Sequence, residues 1–267
     1  MSNTHAFDAA AALQLGQEVL TQEAGALTHL ASTLGSEFTD AVSRILSCKG
    51  RLIVSGVGLY QAANGRPLVA IFCLMVSGLC DMFDGKIART RHKSTEMERN
   101  FGIQLDSLAD IVCFGVLPAV IGKSFFDEFV ERKNILMPRP ALTASHVVVC
   151  SLGCLLILCA LIRLAYFNVT EEERQKNTDE RRTSYIGLPV TSASLIFPLV
   201  YALTYTLARV LPDHVILYFY ALVMLVVAVC FVAPFSVRKP HGKALIFLSV
   251  VGVAEIAYLI CVIRFLR

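Results

Sequence analysis

The chain contains a series of apolar stretches that are long enough to cross a lipid bilayer. They occupy residues 67–83, 103–121, 144–167, 185–208, 214–237 and 244–265. A spanning helix needs about 20 apolar residues, and within lipid a helix satisfies all of its own backbone hydrogen bonds. The hydrophobic fraction of 55% and the mean hydropathy of +0.63 also indicate an integral membrane protein. The sequence therefore predicts an all-α fold, a polytopic membrane helical bundle of about six transmembrane helices.

The beginning of the chain differs from these stretches. The apolar run 52–60 is too short for a span, so either a preceding helix completes it or the chain lacks a full first span. Apolar residues recur at helical intervals among polar ones within residues 1–47, which predicts an amphipathic helical N-terminal extension. The residues that carry this pattern are Leu13, Val19, Leu20, Leu27, Leu30 and Leu34.

Four aspartates, Asp81, Asp84, Asp106 and Asp110, lie at the ends of two apolar stretches. An ionised side chain in such a place is costly unless it has a partner. Residues three or four apart project from one face of a helix, so each pair of aspartates shares a face. Carboxylates that face one another repel, and divalent cations relieve the repulsion. Mg²⁺ is typically held by a few carboxylates together with substrate phosphate oxygens. The pattern predicts a site for metal ions and a phosphorylated ligand at a membrane surface.

Small residues accompany the aspartates. Gly85 and Ala88 share the face of Asp81, and Gly102 precedes Asp106 by one helical turn. They leave room for a ligand to approach the backbone. Arg89 follows directly, and the guanidinium fork suits phosphate oxygens.

This stretch resembles the signature of the CDP-alcohol phosphotransferases, Asp-x-x-Asp-Gly-x-x-Ala-Arg, a spacer, and Gly-x-x-x-Asp-x-x-x-Asp. Every fixed position is present, and these positions are Asp81, Asp84, Gly85, Ala88, Arg89, Gly102, Asp106 and Asp110. The spacer, residues 90–101, is longer than is usual in the family. A longer loop between two helices is tolerable because the entropy cost of closing a loop grows slowly with its length.

Three further stretches, LDSLADIVCFGVLPA, LIRLAYFNV and IGLPV, resemble the serine branch of that family, the CDP-diacylglycerol:serine phosphatidyltransferases. The similarity covers roughly residues 62–243. The glycerol-phosphate branch tends to have proline and lysine where this chain has Ser107 and Ile111. Tyr166 stands where the serine branch usually has arginine, so an anion contact from that position is not expected here.

The resemblance implies transfer of a phosphatidyl group from CDP-diacylglycerol to L-serine, giving phosphatidylserine and CMP by two-metal-assisted direct displacement. Two divalent cations, Mg²⁺ or Mn²⁺, are implied as cofactors, with Asp110 as general base. The implied metal ligands are Asp81, Asp84, Asp106 and Asp110, and the implied substrate-binding residues are Gly85, Ala88, Arg89, Gly102 and Arg163. The same chemistry with inositol phosphate or glycerol phosphate is an alternative, and so is a transporter that uses the carboxylates as a relay.

Location and partners follow from the same observations. Lys and Arg are concentrated in segments 86–99, 163–182 and 238–243 on the aspartate side, so the positive-inside rule predicts a site that opens to the cytoplasm from the inner membrane. The expected partners are CDP-diacylglycerol, serine and the lipid bilayer, without nucleic acid. The family resemblance also implies a homodimer. The nine cysteines show no metal-ligand spacing and are predicted to be packing residues.

Residues 11–58 resemble the opening of sugar-phosphate isomerases of the arabinose 5-phosphate type. The resemblance ends near Gly58, and membrane sequence follows in place of the remaining isomerase elements. A working isomerase site is therefore not expected. The predicted domains are a helical extension at 1–58, with an isomerase-like fragment, and a CDP-alcohol phosphotransferase membrane domain at 59–267.

Overall fold

The computed structural model describes residues 51–88, 96–135, 137–177, 184–238 and 243–266, together with Thr21 and Gly25, both of which are helical. The chain divides into two units, Met1–Lys49 and Gly50–Arg267. One helix runs continuously from Arg51 to Ala63, across the predicted boundary at residue 58. The amphipathic pattern predicted within residues 1–47 lies outside the described residues, apart from those two positions.

The second unit is a helical membrane bundle, as predicted, and the chain is an integral membrane protein. In chain order its elements are α1 (Arg51–Ala63), α2 (Pro67–Ala88), α3 (Glu96–Asp110), a π-helix (Ile111–Val116), α4 (Leu117–Arg132), α5 (Arg139–Asn177), β1 (Ser184–Ile186), a 3₁₀ turn (Val190–Ser192), α6 (Ala193–Leu207), α7 (Asp213–Val232), β2 (Ser236–Arg238) and α8 (Lys243–Leu266).

Four stretches of the described chain are long and apolar enough to cross a membrane. They are Phe101–Arg132, Arg139–Arg174, Val190–Leu207 and Asp213–Val232. Shorter apolar helices cover Ile53–Ala63, Pro67–Met82 and Val250–Cys261. Since exposed large apolar side chains such as Leu158, Leu222 and Val226 lie on these helices, the outer surface of the bundle suits lipid rather than water.

The first two helices form a hairpin. The α1 helix ends at Ala63 because Asn64 and Gly65 turn the chain, with Gly65 in the left-handed region at φ 69°. The side chain of Asn64 donates to the Tyr60 carbonyl at 2.7 Å, and Pro67 opens α2. With its 13 residues, α1 is about 20 Å long, which is shorter than the hydrocarbon core of a bilayer. It packs along α2 and also contacts α4 and the π-helix.

Two predicted spans have different ends in the structure. The span predicted at 185–208 begins instead at Val190, since Ser184–Ile186 forms a strand and Gly187 adopts φ 77°. The span predicted at 214–237 ends instead at Val232.

The reason is a short antiparallel ladder, in which Ile186 pairs with Ser236 and Ser184 with Arg238. The Gly187 amide donates to the Phe235 carbonyl at 2.5 Å and continues this ladder. Hydropathy does not report strand pairing, so it predicts helix for the apolar residues at these ends.

Aromatic side chains fill the interior of the bundle. Phe125, Phe197 and Tyr220 are fully buried, and the Tyr220 ring centroid lies 5.7 Å from that of Phe125 and 5.4 Å from that of Phe197. Tyr220 also donates its hydroxyl to the Pro118 carbonyl at 3.3 Å. These contacts join α4, α6 and α7. All cysteines of the described chain are free; Cys113 is buried, whereas Cys150, Cys154 and Cys261 are exposed, and Cys48 lies outside the described residues.

Candidate active site

Three of the four predicted aspartates converge in space. Asp81 projects from α2, and Asp106 and Asp110 project from α3, one turn apart. Each offers a carboxylate oxygen, and these three oxygens all lie within 4.8 Å of one another. Asp106 is exposed, whereas Asp110 has only 9% of its surface exposed. The cluster is therefore open to ligands on one side and enclosed on the other.

The donor set fits a hard divalent cation. All three groups are carboxylates, and Mg²⁺ and Mn²⁺ prefer oxygen ligands of this type. Without a cation, negative charges this close would repel one another at the surface of an apolar bundle. The geometry of Asp81, Asp106 and Asp110 thus suits a metal ion shared between two helices.

The remaining signature residues are positioned by the same two helices. Asp84, Gly85 and Ala88 lie in the last turns of α2, but their side-chain surroundings are outside the described residues, as is all of Arg89. Gly102 lies in α3, and within the described chain a Cβ placed on it would meet no atom within 4 Å. The space that the sequence predicts beside Asp106 is present at Gly102.

The predicted loop between the aspartate helices is shorter than expected. Residues 96–101, the second half of the predicted spacer, are helical because α3 already begins at Glu96. The sequence of this segment, EMERNF, is rich in residues with high helix propensity. The expectation of a twelve-residue loop is therefore wrong for its second half.

Arg163 is buried where α5 meets the segment that precedes α6. It is 5% exposed, and its Nε donates to the Leu188 carbonyl at 3.1 Å. Its guanidinium carbon lies 5.9 Å from the centre of the Phe167 ring. The side chain is thus buried and held by its neighbours. Tyr166, where the serine branch usually has arginine, is 49% exposed.

A hydrogen-bonded pair ties α5 to the aspartate helix. The Asn168 side-chain amide donates to the Ser107 hydroxyl at 2.8 Å, and Ser107 donates to the Ile103 carbonyl at 3.0 Å. Ser107 directly follows Asp106 in the chain. The α5 helix is therefore joined to α3 next to the carboxylate cluster.

A buried polar cluster that sequence reasoning missed lies behind the aspartates. The Ser55 hydroxyl lies 2.9 Å from the Ser77 hydroxyl and 2.8 Å from the Cys113 sulfur, and all three residues are completely buried. The available signal in the sequence was that Ser77 precedes Asp81 by one helical turn, whereas Cys113 follows Asp110 by nearly one. We call these three residues the serine–cysteine cluster.

A membrane helical bundle with a carboxylate cluster on two of its helices defines a class: integral membrane proteins with a site suited to a divalent cation. Within that class, the chain belongs to the CDP-alcohol phosphatidyltransferase family, whose model matches residues 43–234. This family generally uses divalent metal ions.

Individual relatives agree with the family match. The chain is 35% identical over 127 residues to a CDP-diacylglycerol–serine O-phosphatidyltransferase from Saccharomyces cerevisiae, which covers 46% of this chain and 38% of the yeast protein. It is 26% identical over 140 residues to the enzyme of the same name from Helicobacter pylori, covering 52% and 48% of the two chains. This chain thus spans less than half the length of these two relatives.

A third relative belongs to a different class of protein. A probable arabinose 5-phosphate isomerase from Haemophilus influenzae is 37% identical over 60 residues, which is 22% of this chain and 18% of that protein. The likeness to isomerases is therefore partial.

Proposed function

We propose that this protein transfers the phosphatidyl group of CDP-diacylglycerol to L-serine, releasing CMP and forming phosphatidylserine. The observation that carries the proposal is the convergence of Asp81, Asp106 and Asp110 within 4.8 Å, on the two helices that hold the family signature. The serine acceptor is supported by the names of the relatives and by the residues that follow the third and fourth aspartates, Ser107 and Ile111.

The aspartates would hold two divalent cations, Mg²⁺ or Mn²⁺. In this proposal Asp81, Asp84 and Asp106 bind one ion, and Asp81, Asp106 and Asp110 bind the other. When bound, the ions neutralise the pyrophosphate and stabilise the departing CMP. The exposed position of Asp106 leaves the ligand side of the cluster open, as a substrate that brings its own phosphate oxygens requires.

Asp110 is the proposed general base. It accepts the hydroxyl proton of serine while the serine oxygen forms a bond to the phosphorus nearest the lipid. The bond from that phosphorus to the oxygen of CMP breaks, and CMP leaves with the electron pair. The family resemblance assigns this role to the fourth aspartate of the signature, and the role requires that Asp110 come within hydrogen-bond distance of the serine hydroxyl.

The remaining predicted residues would bind the substrates. Gly85, Ala88 and Gly102 leave space for the nucleotide, and Arg89 contacts phosphate. Arg163 offers a guanidinium that its Leu188 contact already orients, which suits a phosphate or the carboxylate of serine. The distribution of Lys and Arg supports a site on the cytoplasmic face of the inner membrane, and family analogy supports a homodimer.

An acceptor panel tests the proposal. Membranes that carry the full chain receive CDP-diacylglycerol, Mn²⁺ or Mg²⁺, and one alcohol at a time. We expect CMP release with serine. Release only with inositol phosphate or glycerol phosphate would move the acceptor to that alcohol. No release with any of them would overturn the transferase proposal and leave a transporter or an inactive fusion.

A second experiment tests the proposed base. Asp110→Asn is expected to abolish CMP release while the protein keeps its thermal stability. The matched control is Asp127→Asn. Asp127 binds Lys123 on α4 and His146 on α5, and it has no proposed role in the reaction. The control should retain near-normal turnover. If Asp110→Asn also retains it, Asp110 is not the base.

A further inference from the structure

The serine–cysteine cluster joins three segments that are distant in sequence. Ser55 belongs to α1, Ser77 to α2 and Cys113 to the π-helix. A hydroxyl can donate one hydrogen bond and accept two, so Ser55 can serve both neighbours at once. It occupies the centre of the cluster, at 2.9 Å from Ser77 and 2.8 Å from Cys113.

Both neighbours of Ser55 lie close to the carboxylates. Ser77 is one turn before Asp81 on α2, and Cys113 is three residues after Asp110. The relative position of these two segments decides the distance between the Asp81 and Asp110 carboxylates. Ser55 thus contacts both α2, which carries Asp81, and the π-helix that follows Asp110.

Cys113 lies within a π-helical turn of the backbone. The π-helix begins directly after Asp110, and at its end the Leu117 amide donates to the Val112 carbonyl five residues back. A π-helix turn is rare, occurs mostly as a single turn within an α-helix, and is frequently found at functional sites. A side chain that binds within this turn helps to fix the angle between α3, which precedes the turn, and α4, which follows it.

The α1 helix is packed closely enough to hold Ser55 in place. A Cβ placed on Gly58, one turn after Ser55, would lie 2.9 Å from the Cys73 Cβ on α2 and 3.1 Å from a Leu117 methyl on α4. The α1 helix therefore has little freedom to move away. Both Ser55 and Gly58 fall within residues 11–58, the stretch that resembles isomerases, so part of that stretch contributes to the membrane bundle.

We propose that Ser55 is a positioning residue: through Ser77 and Cys113 it holds α2 and the π-helix at the separation at which Asp81 and Asp110 share a cation. The proposal rests on the metal-binding part of the proposed function. Groups that hydrogen-bond directly to metal ligands change metal affinity by about 10–100-fold when they are lost, and Ser55, which acts through Ser77 and Cys113, is expected to reach the lower end of that range.

The test measures Mn²⁺ binding, without turnover, on the full chain in lipid nanodiscs. Free Mn²⁺ is followed by its electron paramagnetic resonance signal during titration. Ser55→Ala is expected to raise the Mn²⁺ dissociation constant roughly tenfold. Ser55→Cys, which keeps a side chain able to donate and accept, should restore most of the affinity. Adding Ser77→Ala to Ser55→Ala should weaken binding by no more than about a further twofold, since both remove the same connection.

The matched control is Ser124→Ala. Ser124 is buried in α4, and its hydroxyl has no hydrogen-bond partner within the described chain, so the substitution removes the same atom without breaking a connection. Its Mn²⁺ affinity should stay at the wild-type value. If Ser55→Ala binds Mn²⁺ like the control while its thermal midpoint falls, the cluster only stabilises the fold and the proposal is wrong.

Two further outcomes separate this proposal from the proposed function. If Ser55→Ala does not fold, an unchanged Mn²⁺ affinity in folded Ser77→Ala overturns the positioning role, and a weakened one supports it. Failure of the wild type to bind Mn²⁺ overturns both the positioning role and the proposed metal site. Wild-type Mn²⁺ binding that is weakened by Ser55→Ala, without any CMP release on serine addition, supports the positioning role and refutes only the serine transferase.

Discussion

Gly58→Ala tests whether α1 is packed into the bundle as the structure shows. The added Cβ would lie 2.9 Å from the Cys73 Cβ and 3.1 Å from a Leu117 methyl. Carbon atoms in favourable contact are about 3.5–4.0 Å apart, so α1 would have to move by roughly 0.6 Å or more. Overpacking of this kind costs about 1–3 kcal/mol.

A second glycine of the same helix provides the control. Within the described chain, a Cβ placed on Gly56 would meet no atom within 4 Å. Both substitutions gain about 1 kcal/mol from the higher helix propensity of alanine. Because that gain is common to the two variants, the difference between their stabilities isolates the packing cost at Gly58.

The assay is thermal unfolding of the purified variants in one detergent, followed by circular dichroism. In a chain of this size 1 kcal/mol shifts the midpoint by about 2–4 °C, so Gly58→Ala should unfold roughly 2–12 °C below Gly56→Ala. Equal midpoints would show that α1 does not lie against Cys73 and Leu117. The packing argument, and with it the support for Ser55, would then fail.

Two further predictions concern the site, and a third concerns Glu128 on α4. Arg163→Lys keeps the charge but loses the Nε donor to Leu188, and we expect the KM for serine to rise by roughly fivefold to tenfold in CMP-release kinetics; an unchanged KM would exclude Arg163 from acceptor binding. Chelation with EDTA should abolish CMP release, and Mn²⁺ or Mg²⁺ should restore it, whereas full activity in EDTA would contradict the metal role. Glu128 accepts from Tyr205 at 3.2 Å and binds Arg132 at 3.1 Å, so Glu128→Ala should lower the free energy of unfolding by about 1–3 kcal/mol with normal KM values; a changed KM for serine would contradict a purely structural role.

The aspartate cluster shows which part of the site the spacing of residues in the sequence can predict. Asp106 and Asp110 share a helical face because of their spacing alone, and that part of the site was predictable without coordinates. The cost of charge beside apolar stretches then indicated that Asp81 had to find the same partners. The structure brings Asp81, Asp106 and Asp110 together, as this reasoning predicts.

The ends of the spans were less predictable. Hydropathy placed Tyr185 and Val237 in helices, but both residues pair with each other across the β1–β2 ladder. The pairing depends on Gly187 at φ 77°, a conformation that the sequence permits but does not require. An apolar residue looks the same in a helix and in a short strand, and only the partner strand decides between them.

The sequence by itself determined the class of fold, the pairs of aspartates and the chemistry that they suit, because each depends on hydropathy and on spacing within single helices. Tertiary structure alone decided that α1 docks beside α2, that a π-helix follows Asp110, and that Ser55 reaches Cys113 across 58 residues of chain. The physical reason is the separation along the chain between the residues that interact. A helical face is set by neighbours three or four residues away, whereas a buried hydroxyl takes whichever partner the packing of distant helices brings within hydrogen-bond distance.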